Sequence, residues 1–226
     1  MIERKLLGTA AIPDDGGELK LYSRALKGGD EFSIMLGGTE LMNSRKSGSE
    51  EALATLVCEQ ILPRAAPKIL IGGLGMGFTL RAALPLLPDD ACITISELVP
   101  AVVDWARGPM AGIHGISLDD PRAEIRLENV SRLIGSARED FDAILLDVDN
   151  GPDGLTHESN AAIYSTAGLN AARAALRADG VLAVWSSASD AGFTQRLKNC
   201  GFAVKEVKIR ARGNRGAHHV IWLAKK

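Results

Sequence analysis

Cysteine is scarce in this 226-residue chain: Cys58, Cys92 and Cys200 lie far apart and are odd in number. That spacing excludes a disulfide framework and supplies no zinc-ligand pair, so no metal and a reducing setting are expected. No apolar run approaches the ~20 residues that cross a bilayer. The N-terminal stretch "MIERKLLGTAAIPDDGGELK" has no apolar segment of leader type. A soluble, cytoplasmic chain without a membrane partner is the expectation. Charge of one sign is lacking too: the formal net charge is −2, which gives the molecule no reason to seek nucleic acid. The local exception runs from Lys205 to Lys226, with seven Lys/Arg against the single acid Glu206. Such a segment either touches a polyanion or is the solvated face of two strands, and the second is the ordinary case.

What is present suits one globular core, since 46% of the residues are apolar. Residues 1–45 alternate in "ELKLYSRAL" and "DEFSIMLGGTELM", broken by "KGGD" and "GG", which predicts short antiparallel strands. From "SGSEEALATLVCEQILP" the period becomes helical, with Ser49 as a cap, Glu50 and Glu51 in the first turn, and Pro63 as the stop. Strands and helices then alternate: "KILIGG", "FTLRAALPLL", "CITISEL", "PAVVDWARG", "AEIRLEN", "VSRLIGSA", "FDAILLDVD", a loop over 149–160, "AAIYSTAGLNAARAAL", "GVLAVWSS" and "AGFTQRLKNC". Two closing strands, "AVKEVKIRA" and "HHVIWLAKK", flank "RGNRGA" and should pair antiparallel. The expected fold is α/β: a Rossmann-like, seven-stranded methyltransferase-type sheet, mostly parallel, with an antiparallel C-terminal hairpin. The expected division is a small β region over 1–45 and an α/β domain over 46–226.

The end of the first parallel strand reads Gly73-Leu74-Gly75-Met76-Gly77. Parallel sheets bind ligands beyond the carboxyl ends of their strands, and glycines there let a ligand approach the backbone. Glycine between strand and helix also serves packing alone. Glu97, followed by Leu98, closes the next strand about 20 residues on, where a carboxylate takes both hydroxyls of a ribose; otherwise it is a solvated acid at a strand tip. The turn does not follow G-x-G-x-x-G and contains no cation, which argues against a pyrophosphate. A nucleoside without phosphates fits better, and S-adenosylmethionine is one. Asn129, followed by Val130, ends the third strand; its amide either meets an adenine or caps the next helix. Asp147 closes "FDAILLD" and serves either as a general base or as the cap of the following turn. Trp105 and Trp222 are expected to pack on the sheet, with Trp185 as the exception that reaches a ligand. His157 sits in the 149–160 loop, and His218 and His219 have no partner at metal-ligand spacing.

The ordered stretches "ILIGGLGMGFTLRAAL", "ISELVPAVVDWA", "DPRAEIRLEN" and "FDAILLDVDNGP" resemble the spermidine synthase-like proteins, the polyamine aminopropyltransferases on the S-adenosylmethionine methyltransferase fold. The resemblance covers residues 60–205 and implies a small N-terminal β domain before them. It implies a cofactor site of Gly73, Leu74, Gly75, Gly77, Glu97, Leu98, Asn129 and Val130. It implies catalysis by Asp147, and a substrate amine met by Asp149 and Asn150, with Asp153 and Glu158 as further acids. The cofactor implied is S-adenosylmethionine or its decarboxylated form, without metal, and two copies are implied to pair through the N-terminal strands. Two positions depart from the family pattern. Met76 stands where the family has the aspartate that selects decarboxylated S-adenosylmethionine, and Asn150 replaces the second acid of D-x-x-D. Three functions therefore stay open: aminopropyl transfer to an amine, methyl transfer from S-adenosylmethionine to an unknown acceptor, and nucleoside binding without catalysis.

Overall fold

The computed structural model describes residues 4–13, 16–45, 47–62, 64–148, 162–212 and 215–226, with side chains except at 211–212 and 215–217. Asp149, Asn150, Asp153, His157, Glu158 and the stop at Pro63 lie outside the described residues.

The alternating N-terminal segment forms a four-stranded antiparallel sheet: β1 (Lys5–Ala11), β2 (Glu18–Leu26), β3 (Gly29–Leu36) and β4 (Thr39–Asn43), in that order. Its register sets Leu19 opposite Leu36 and Leu21 opposite Ile34, so the period-two apolar residues collect on one face. Helix α1 (Gly48–Ile61) follows and buries Leu53, Val57 and Ile61. Ser49 does not cap it, as its position suggested. Ser47 occupies the cap position without a side-chain bond, and the Ser49 hydroxyl turns to Glu50.

The remaining strands are β5 (Lys68–Gly72), β6 (Cys92–Glu97), β7 (Ala123–Leu127), β8 (Phe141–Leu146), β9 (Leu176–Ser186), β10 (Ala203–Arg212) and β11 (Arg215–Lys225). They form a seven-stranded sheet in the order β10-β11-β9-β8-β5-β6-β7. Strands β9, β8, β5, β6 and β7 run parallel. Strand β11 runs antiparallel to both β9 and β10, so the closing hairpin inserts its second strand inside the sheet. The expected fold class is the observed one. Continuous apolar runs such as Ile69-Leu70-Ile71 arise because both faces are covered: Ile69 and Ile71 enter one core cluster and Leu70 the other.

The helices over the sheet are α2 (Phe78–Ala83), α3 (Pro100–Arg107), α4 (Ala111–His114), α5 (Val130–Ser136), α6 (Thr166–Ala175) and α7 (Ala191–Asn199). Two expected helices are shorter than their patterns. "FTLRAALPLL" stops at Ala83 and continues as a 3₁₀ turn over Leu84–Leu86, because Pro85 has no N–H for the helical ladder. The 161–176 pattern breaks at Ser165, whose hydroxyl caps α6 by accepting from the Gly168 amide 3.1 Å away. Leu176 then opens β9 instead of ending the helix. No helix among the described residues is long and apolar enough to cross a membrane.

Candidate active site

A cleft opens at the carboxyl ends of β5, β6 and β8, where a parallel sheet presents its loop residues. The glycine turn forms its floor. Gly73, Gly75 and Gly77 have φ of +91°, +50° and +73°, a region that side chains other than glycine rarely enter. Space forbids a side chain there as well. A Cβ on Gly73 would stand 2.7 Å from the Asp147 carbonyl oxygen, and one on Gly75 would stand 2.9 Å from Met42 Sδ. A Cβ on Gly77 would overlap the His114 ring. The turn is thus squeezed between β8, the N-terminal sheet and α4, and packing alone already requires its glycines.

Glu97 is not a solvated strand tip. It is 8% exposed; one carboxylate oxygen accepts from the Leu74 amide at 3.0 Å and the other from the Val99 amide at 2.9 Å. Burial raises its pKa, and the amides of Val99 and Leu74 oppose that rise by favouring the anion. The acid therefore ties the end of β6 to the glycine turn and still lines the cleft, as do Leu98 and Val130. Asn129 is the cap of α5: its side-chain oxygen accepts from the Ser131 amide at 2.8 Å. It also borders the cleft, so its amide nitrogen is the half left to face a ligand.

Asp147 faces the cleft one residue beyond β8 and accepts a hydrogen bond from Thr79 Oγ1 at 2.8 Å. Its pKa is pushed up to about 7, chiefly by burial and then by the negative charge of Glu50, while the Thr79 bond works against both. A carboxylate poised near neutrality suits general-base work. Glu50, read from sequence only as a helix-start residue, borders the same cleft near the start of α1. Ser49 Oγ lies 2.8 Å from a Glu50 oxygen, and His219 Nδ1 lies 2.9 Å from Ser49 Oγ. A hydroxyl has one proton to give, so donation to Glu50 requires His219 Nδ1 to carry a hydrogen and donate to Ser49. The His219 ring meets Trp185 edge-on, 4.8 Å between centroids, and Trp185 also lines the cleft. Sequence gave no sign of this chain, because its members lie on α1, β9 and β11. Trp222 is fully buried with its indole N–H on Thr194, and Trp105 packs against β1 at Gly8. The N-terminal sheet closes the cleft with Leu19, Ile34, Leu36, Leu41 and Met42. Among the described residues there is no cluster of three metal-ligating side chains.

No protein-family model matches the chain. It is 30% identical over 149 residues to "Polyamine aminopropyltransferase 1" of Streptomyces coelicolor, a match covering 62% of this chain and 27% of that protein. It is 32% identical over 81 residues to the polyamine aminopropyltransferase of Sulfurisphaera tokodaii, covering 36% of this chain and 27% of that protein. The spermidine synthase of Thermotoga maritima superposes with a TM-score of 0.74 at 20% identity, over 98% of this chain and 73% of that one. A spermidine synthase bound to the transition-state analogue AdoDATO gives a TM-score of 0.73, also at 20% identity, over 98% of this chain and 72% of that one.

The chain has the fold of these spermidine synthases and is similar in sequence to curated polyamine aminopropyltransferases over part of its length. Its matches span about a quarter of the length of these two curated relatives. Met76 is the apolar side chain within the glycine turn. It is 4% exposed, lines the cleft and joins the apolar core, so no charge stands at that point of the turn.

Proposed function

We propose that the chain transfers an aminopropyl group from decarboxylated S-adenosylmethionine to a small amine. One arrangement carries this reading: Glu97 and Asp147 close β6 and β8, the two strands that flank β5 and its glycine turn. A ribose held at Glu97 places the 5′-sulfur over the turn, and the carbon beside the sulfonium then faces Asp147. Asn129 and Val130 border the adenine, with Leu98 beside the sugar. The acceptor nitrogen attacks that carbon; a C–N bond forms, the C–S bond breaks, and its electron pair neutralises the sulfur as a thioether. Asp147 takes the proton that the amine must lose. The sulfonium is already a good leaving group, so the chain contributes position and a base, and fixed geometry supplies up to roughly 7–11 kcal/mol in the best intramolecular cases. The N-terminal sheet excludes water from the reacting carbon. Asp149 and Asn150 belong to this reading as substrate residues, and pairing of two chains through the N-terminal strands belongs to it as an assembly.

Met76 favours a second reading, methyl transfer from intact S-adenosylmethionine, because the buried thioether presents no charge to repel a carboxylate. Calorimetry with the decarboxylated compound, intact S-adenosylmethionine and the thioether product separates the two. The aminopropyl reading expects the decarboxylated compound to bind more tightly than the intact one. A tenfold preference for intact S-adenosylmethionine would replace it with methyl transfer.

A further inference from the structure

An aminopropyl donor ends in an ammonium group, and that group needs a carboxylate within the cleft. Among the described residues four acids border the cleft: Glu50, Glu97, Glu128 and Asp147. Glu97 holds the amides of Leu74 and Val99 and stands at the end of β6, where its remaining acceptor sites are assigned to the ribose. Glu128 follows β7, on the far side of β6 from the turn. Asp147 is needed for the incoming amine. Glu50 stands apart from all three. It comes from α1, which packs on α2 and so on the helix that the glycine turn opens. Its position is fixed through Ser49, a fully buried residue that is itself held by His219. Ser49 and His219 together give Glu50 a two-residue support that reaches across to β11.

A second observation marks this end of the cleft as built for a ligand. Trp185 lines it, is 9% exposed, and has a buried indole N–H without a hydrogen-bond partner among the described residues. The same ring rests against His219. Trp185 and Glu50 thus line one cleft and share His219 and Ser49 between them; an aromatic ring face favours a cation, while the indole N–H is left for an acceptor atom of the ligand.

We propose that Glu50 is the residue that binds the ammonium group of the aminopropyl donor and, by repelling a carboxylate, selects the decarboxylated nucleoside over intact S-adenosylmethionine. This rests on the aminopropyl reading. It accounts for the apolar Met76, because the discriminating charge comes from α1 and not from the turn. Ser49 and His219 are positioning residues for Glu50. Glu50 differs from Asp147 in role: it meets the donor and moves no proton.

The test is calorimetry of wild type, Glu50→Gln and Glu50→Asp with three probes: the decarboxylated compound, intact S-adenosylmethionine, and 5′-methylthioadenosine, which has the nucleoside and sulfur but no amine. Thermal melts establish that the variants fold. Glu50→Gln keeps the size of the side chain and an oxygen for Ser49. The expected result is a loss of about tenfold or more for the decarboxylated compound, the size of one charge-assisted contact. 5′-Methylthioadenosine should stay within about twofold, intact S-adenosylmethionine should bind as well as before or better, and Glu50→Asp should retain part of the preference. If Glu50→Gln keeps the wild-type preference, or weakens all three probes alike, the assignment of Glu50 is overturned while aminopropyl transfer stands. If wild type itself prefers intact S-adenosylmethionine by tenfold, aminopropyl transfer fails and this role for Glu50 fails with it.

Discussion

Two aspartates stand at opposite ends of strand β8, Asp142 within it and Asp147 just beyond it, and they live under different rules. Asp142, at the amino end, is 2% exposed and fully answered. Arg64 donates to one oxygen at 2.5 Å; Arg177 and the Lys68 amide donate to the other at 2.8 Å each. Asp147, at the carboxyl end, has a neutral hydroxyl from Thr79 and the repulsion of Glu50. The first is a clasp that holds β5, β8, β9 and the segment after α1 together at one edge of the sheet. The second keeps an unfavourable charge in a cleft, which costs stability and leaves a base near neutral pH. Residues that a fold satisfies and residues that it leaves wanting are thereby separated by the length of one strand, and the proposed base is of the second kind.

Several measurements would break or sharpen that contrast. Asp147→Asn removes the base and keeps an acceptor for Thr79. Turnover should fall by about 10²–10⁴-fold, the usual contribution of a positioned base, with nucleoside affinity within about twofold in calorimetry; an unchanged rate would end the catalytic role. Asp142→Ala should behave in the opposite way. It leaves two arginines without their anion and should cost about 3 kcal/mol in denaturant unfolding, while kcat at a permissive temperature stays within about twofold of wild type. Gly77→Ala combines a left-handed φ with overlap of the His114 ring, and should cost more than about 2 kcal/mol of stability in the same assay.

The smallest effects concern pH. Asp147 is protonated below about pH 7 in the folded chain and only below about 4 when unfolded. The folded state binds more protons between those values, so stability should fall as pH rises from about 4 to 7, and Asp147→Asn should flatten that slope. The rate should rise through about pH 7 as the base ionises. Thr79→Val removes the bond that favours the anion and should move this midpoint up. Glu50→Gln removes a repelling charge and should move it down, each by about one pH unit or less. Midpoints that move together would contradict the assigned causes.

The two halves of the cleft were unequally legible in sequence. The half proposed for the nucleoside is made from strand ends and the residues directly after them, so Gly73 to Gly77, Glu97, Asn129 and Asp147 all stand at places that strand–helix alternation marks. Even there the local readings competed, and for Asn129 the cap is what its oxygen does. The other half is assembled from distant pieces. Ser49 and His219 are 170 residues apart in the chain and 2.9 Å apart in space, and no period in the sequence announces that meeting. Glu50 looked like a favourable charge at a helix start, which it is, and its place in the cleft depends on how α1 docks against the sheet. The N-terminal strands were visible from their alternation, but their service as a roof was not, because Met42 reaches Gly75 only after the two sheets have packed. The breaks at Pro85 and Ser165 were readable in principle; each lay inside a convincing apolar pattern and was overridden by backbone hydrogen bonding.

The most direct test of the account is a crystal structure with 5′-methylthioadenosine bound. The account predicts both ribose hydroxyls within hydrogen-bond distance of the Glu97 carboxylate, the thioether sulfur above Gly75, and the open side of that sulfur facing Asp147. A nucleoside found elsewhere, or a cleft left empty at saturating concentration, would contradict it.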